Sequence, residues 1–164
     1  MSAIVTRDTL LASAVRGLIW RAEHTWTMDA GAPMYFGWVV PEIKMVSLGR
    51  EYITPGKSLK VDLYEASFTG GTNVTTLNRD LGVSGALTPI QAKHSVTPGA
   101  LTNRITGFNI ETLGAVRVGR LGNIEPYMHP PLVSYVLAIE NLIAGAEPYS
   151  FFFDFRLMFP GEDQ

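Results

Sequence analysis

Apolar and polar residues alternate along much of this chain. Leu18, Trp20, Ala22, His24, Trp26 and Met28 fall on one parity, and Arg21, Glu23, Thr25 and Thr27 on the other. Leu59, Val61 and Leu63 alternate with Lys60, Asp62 and Tyr64. Val133, Tyr135, Leu137 and Ile139 share one face of the stretch 132–140; Phe151, Phe153, Phe155, Leu157 and Phe159 share one face of 149–159. Successive side chains of a strand point to opposite sides of a sheet, so a period of two predicts half-buried strands at each place. Strand character also covers 34–40 and 43–48, separated by Pro41, and 102–108 and 110–118, with Gly107 between them.

Turn chemistry separates these runs. Asp29-Ala30-Gly31-Ala32-Pro33, Thr54-Pro55-Gly56-Lys57 and Ala144-Gly145-Ala146 read as turns, and Thr69-Gly70-Gly71-Thr72 as a hairpin. The segments 78–99 and 119–131 are rich in Gly and Pro and read as loops. Residues 1–16 form an N-terminal arm with Leu11, Val15 and Leu18 at helical spacing, which Gly17 cuts short. About eight to ten short strands with almost no helix predict an all-β protein. The expected fold is a β-sandwich of jelly-roll type with about eight strands over 17–160, preceded by the arm at 1–16.

Composition narrows the possibilities. The 164 residues suffice for one domain with a real core. Charged residues make up 17%, against about a quarter in an average domain, so partners are expected to cover part of the surface. A net charge of −2 argues against a nucleic-acid or anionic-membrane partner, both of which need clustered Lys and Arg. The absence of Cys removes disulfides and thiolate chemistry. Arg16 interrupts the apolar run 9–15 before a signal-peptide core is complete, and the later apolar runs are of strand length. The expectation is a soluble protein made in a cytoplasm.

Candidate chemistry is sparse. His24, His94 and His129 show no His-x-His spacing, so no metal site is expected; His24 reads as a strand residue, His94 and His129 as loop residues. Asp62 and Glu65 are close in sequence but on opposite parities, and Glu23, Asp29, Glu111, Glu125 and Asp154 are scattered. Solvated strand carboxylates are the expectation rather than a catalytic pair. No serine lies in a Gly-x-Ser-x-Gly elbow. Gly70-Gly71-Thr72 lacks the Gly-Lys-Ser/Thr of a phosphate loop, and Asn73-Val74-Thr75 without an export signal is an ordinary strand segment. Arg104, Arg117 and Arg120 could make a small basic patch, but on an acidic chain they read as rim or solvated groups.

Two stretches carry a resemblance. Val61-Asp62-Leu63-Tyr64-Glu65-Ala66, Thr69-Gly70-Gly71-Thr72-Asn73-Val74-Thr75 and Leu77-Asn78-Arg79-Asp80 form the first; 134–141 with Ser150-Phe151-Phe152-Phe153-Asp154-Phe155 form the second. Together they resemble virion proteins of tailed bacteriophages, over roughly 50–80 and 125–159. The family pattern continues as Asn-Arg-Asn-Arg, whereas Asp80 and Leu81 follow Arg79 here. The resemblance implies a capsid decoration (cement) protein with a jelly-roll fold, sitting on the outer capsid surface as a homotrimer and binding the major capsid protein.

The expected function is therefore a non-enzymatic virion protein without cofactor, metal, nucleic acid or membrane partner. The apolar arm residues Ile4, Val5, Leu10, Leu11 and Val15 are the expected capsid or inter-subunit contacts. The alternative is a carbohydrate-binding β-sandwich of a phage tail or head fibre, with Trp20, Trp26, Trp38 and Tyr127 stacking on sugar rings.

Overall fold

The alternating runs form strands in the computed structural model, which describes residues 19–41, 45–54, 59–78, 91–110, 117–120 and 127–157. Among the described residues twelve strands follow in order: β1 (Ile19–Met28), β2 (Met34–Val39), β3 (Met45–Thr54), β4 (Leu59–Glu65), β5 (Phe68–Asn73), β6 (Thr75–Asn78), β7 (Ala92–Pro98), β8 (Asn103–Ile110), β9 (Arg117–Arg120), β10 (Tyr127–His129), β11 (Ser134–Asn141) and β12 (Glu147–Leu157). No helix occurs among the described residues.

The strands make two antiparallel sheets. One runs β10-β3-β12-β1-β6, with β9 also on β3, beyond the stretch that pairs with β10; the other runs β5-β7-β2-β11-β4-β8. The pairing is nested. The first strand pairs with the last, β2 pairs with β11, and β3 and β4 take the free sides of β12 and β11. The segment between β4 and β8 adds β6 to the edge of β1 and the β5–β7 ribbon to the edge of β2.

Opposed inward faces fill the space between the sheets. Trp20, Ala22, Trp26 and Met28 on β1, with Tyr149, Phe153 and Phe155 on β12, meet Phe36, Trp38, Leu59, Val61, Leu63, Tyr135, Leu137 and Ile139 from the other sheet. Trp38 is the hub, with ring centroids 4.9 Å from Phe153, 5.7 Å from Tyr135 and 5.9 Å from His129. Each large side chain among them contributes roughly 1.5–3 kcal/mol on burial, so this alternation dominates the folding drive.

The β5–β7 ribbon cannot continue the second sheet as a flat extension. In pairing order β4 and β5 are four steps apart, roughly 19 Å at ~4.8 Å per step. Only Ala66 and Ser67 join them, and the three Cα steps from Glu65 to Phe68 reach at most about 11 Å. The ribbon therefore curls back across the outer face. Ala66 N donates to Ser134 O at 3.1 Å, and the Phe68 ring packs on Gly37. Val136, whose parity points outward, is fully buried yet outside the central cluster. The bend lies where Gly70 and Gly71 (φ 65° and 84°) face Ser95 (φ 54°), between the pairs Gly70–Val96 and Thr72–His94. Glycine takes such angles freely and serine only at a cost.

Trp20, Ala22, Trp26 and Met28, Leu59, Val61 and Leu63, Tyr135, Leu137 and Ile139, and Phe153 and Phe155 turn inward as the alternation predicts, and the turn at Gly145 is where it was expected; Leu18 and Phe159, and the side chains of Phe151 and Leu157, lie outside the described residues. Other expectations are corrected. Thr69–Thr72 is not a hairpin but the bent middle of β5, and Gly107 does not interrupt β8. The Gly/Pro-rich segments contain β7, the end of β9 and β10, so His94 and His129 are strand residues. The turn at Pro55-Gly56 and the arm at 1–16 lie outside the described residues.

Candidate functional site

Even residues of β1 point into the sandwich, which takes His24 inward between Ala22 and Trp26. On β7 the same alternation takes His94 inward between Ala92 and Val96. The two imidazoles, one from each sheet, stack with centroids 3.7 Å apart and planes 15° apart. His24 is also near-parallel to Trp26, at 5.4 Å and 11°. His94 Nδ1 lies 3.0 Å from Ser95 Oγ. Burial first, and the neighbouring His94 second, lower the pKa of His24 below the ordinary imidazole value.

On the outer face of the second sheet, Asp62 is not the solvated strand carboxylate expected of it. It is buried, accepts a hydrogen bond from Arg104 Nε at 2.8 Å, and has Lys60 Nζ at 3.4 Å; Lys60 also approaches Glu140 at 3.9 Å. Arg104 is thus committed to an ion pair instead of a basic patch, and the side chains of Arg117 and Arg120 lie outside the described residues. On the other sheet, Arg21 grips Asp154 with two hydrogen bonds of 2.8 Å each. Both carboxylates are bound to guanidinium, an arrangement that fixes strands and holds the carboxylate as an acceptor.

Two ends of the sandwich expose apolar surface. Val39 and Leu132 lie at one end, where Leu132 N donates to Val40 O at 3.1 Å; Leu142 follows β11 at the other. Leu132 is 69% exposed and held at φ 62°, a conformation that a branched side chain adopts only at a cost. Beside the ribbon bend, an open hollow of about 290 Å³ is lined by Thr27, Asp29, Tyr35, Ser95 and neighbouring apolar residues.

The sugar-stacking residues are overturned for three of four. Trp20, Trp26 and Trp38 are buried in the core, where no sugar ring reaches them; the Tyr127 side chain lies outside the described residues. Ile4, Val5, Leu10, Leu11 and Val15 lie outside them too. Among the described residues no group of three or more His, Cys, Asp or Glu could hold a metal ion. The sequence reading missed the His24–His94 pair and the strained Leu132. The inward parity of His24 was the available signal for the first, and Pro130-Pro131 before Leu132 for the second.

Compared with known proteins, the chain matches no protein-family model and no curated protein.

Proposed function

We propose that this chain is a structural, non-enzymatic virion protein that decorates and stabilises a tailed-bacteriophage capsid. In this reading a jelly-roll sandwich binds the major capsid protein and self-associates as a homotrimer on the outer capsid surface. The observation that carries the reading is the meeting of its two phage-like stretches. β4 and β11 are separated by the 68 residues 66–133, yet they pair side by side, with Leu63 opposite Leu137 and Glu65 opposite Tyr135. One strand of each stretch is thus a neighbour of the other in the second sheet, while β6 and β12, also within the stretches, lie in the first. The nested pairing of β1 with β12 and β2 with β11 supports the jelly-roll part of the proposal.

A cement protein works by bridging neighbouring shell subunits, so that opening the shell must also break its contacts. Many copies make modest individual contacts sufficient. The exposed Leu132 and Val39 are suited to such a contact, because apolar side chains at a rim gain by burial against a partner. The arm residues Ile4, Val5, Leu10, Leu11 and Val15 are the second proposed contact.

The test is co-sedimentation with expanded heads assembled from the major capsid protein of the same phage. Saturable binding and a higher shell-opening temperature are expected. Deleting 2–16 should abolish attachment and leave the sandwich folded. A chain that fails to bind such heads at micromolar concentration is not their cement protein.

A further inference from the structure

We propose that His24 and His94 form a proton-operated latch. When neutral, the pair holds the β5–β7 ribbon against β1; when both rings carry a proton, the ribbon lifts from the sandwich.

The placement of the pair makes it a latch rather than ordinary core. At Val74 the chain crosses from the second sheet to the first, between β5 and β6. Val74 N donates to Ala92 O at 2.8 Å, and β6 pairs with β1 from Trp20 to Glu23, just before His24. The stacked rings thus sit where the inserted segment clips onto both sheets. The grip of the ribbon on β2 is short: Phe36–His94, Gly37–Lys93 and Trp38–Ala92 are its register pairs. By contrast β1 and β12 pair along ten positions. The ribbon is the part that can leave while the sandwich stays.

Charge supplies the trigger. Neutral imidazoles stack as aromatic rings do, but two imidazolium ions with centroids 3.7 Å apart repel in a partly desolvated site. The groups around them offer little compensation. Phe36 and Thr72 are register partners of His94, Trp26 stacks on His24, and Ser95 Oγ, 3.0 Å from His94 Nδ1, is a neutral hydroxyl. The neighbouring charges, Glu23 and Lys93, have the opposite parity and point to the outer faces. Among the described residues no carboxylate is registered beside either ring.

The sign follows from linkage. His24 binds a proton less readily in the folded than in the unfolded chain, because of burial and then His94. Acid therefore favours the open form. The latch is intact well above pH ~6.5, the ordinary imidazole value, and loses strength as pH falls through it. Opening would uncover the edge of β2 and the outer face around Gly37 and Val136, a buried apolar surface released under mild acid.

Hydrogen exchange of the full chain at about pH 7.5 and about pH 5, corrected for intrinsic rates, tests this. In the wild type, protection of 92–98 and 68–74 should fall at least roughly tenfold at the lower pH, while β11 and β12 keep theirs. His94→Phe keeps a ring to stack and cannot take a proton, so its ribbon should stay protected at both. If that variant does not fold, His94→Gln serves, since it too cannot be protonated. Equal acid loss in variant and wild type, loss spread over β11 and β12, or no loss in the wild type would each overturn the latch.

Discussion

The Phe68 ring rests against the backbone of Gly37, so closely that a Cβ at position 37 would come within 2.8 Å of Phe68 Cδ1. This contact pins the curled ribbon to the outer face. Two effects oppose one another in Gly37→Ala. Alanine favours the strand over glycine by roughly 0.5–1 kcal/mol, while forcing an atom into a packed contact costs about 1–3 kcal/mol. The clash wins, and denaturant unfolding should show a net loss of about 1–2 kcal/mol. Adding Phe68→Ala removes the clash, so the double variant should be no less stable than Phe68→Ala alone.

Gly107 meets a different neighbour. A Cβ there would overlap both Arg104 Nη2 and Asp62 Oδ1, so the ion pair lies directly over the glycine. The Asp62 side chain is 7% exposed and Arg104 52%, so the cost of separating them comes chiefly from the stranded carboxylate, with Lys60 as its remaining cation. Arg104→Ala should cost about 1–2 kcal/mol, discounted for the exposure of the arginine. Gly107→Ala should cost a similar amount by displacing the same guanidinium. The two losses should then fall short of additivity by at least ~0.5 kcal/mol in a double-variant cycle.

What the chain made legible was the side of each strand that turns inward. Burial acts residue by residue with period two, so Trp20, Ala22, Trp26 and Met28 announced the inner face of β1, and Tyr135, Leu137 and Ile139 that of β11. What stayed hidden depended on distant partners. Asp62 looked solvated because nothing nearby in sequence announces Arg104, on another strand. Gly70-Gly71 looked like a hairpin because positive φ serves a bend within a strand as well as a turn. The stacking of His24 on His94 joins residues 70 positions apart across two sheets, and no local spacing encodes that.

Asn141 links both turns at one end of the sandwich. It is fully buried; its Nδ2 donates to Gly145 O at 3.0 Å and Met28 O at 3.4 Å, and its Oδ1 accepts from Ile143 N at 3.0 Å. Asn141→Asp keeps the shape but sets a carboxylate oxygen against two carbonyls. Such an aspartate holds its proton more tightly folded than unfolded. Its penalty is therefore least in acid and grows as pH rises above the ordinary aspartate value of ~3.9. Relative to wild type, the melting temperature of the variant should fall steadily between about pH 4 and pH 7. A constant difference across that range would mean that the carboxylate escapes to water.

Leu132 should be a position where stability and attachment part company. At φ 62° a leucine is strained by roughly 1–2 kcal/mol, whereas asparagine visits this region with little difficulty. Its bond to Val40 O uses the backbone N–H and survives the substitution. Because the side chain is largely exposed, little apolar burial is lost within the chain itself. Leu132→Asn should therefore raise stability by about 0.5–1 kcal/mol, a shift of roughly 1–4 °C in melting temperature. If the strained leucine is kept for the contact proposed above, the same variant should bind expanded heads less tightly, by about tenfold for the loss of one well-buried apolar group. A stabilised variant that still binds with unchanged affinity would remove Leu132 from that contact and leave Val39 and the arm to carry it.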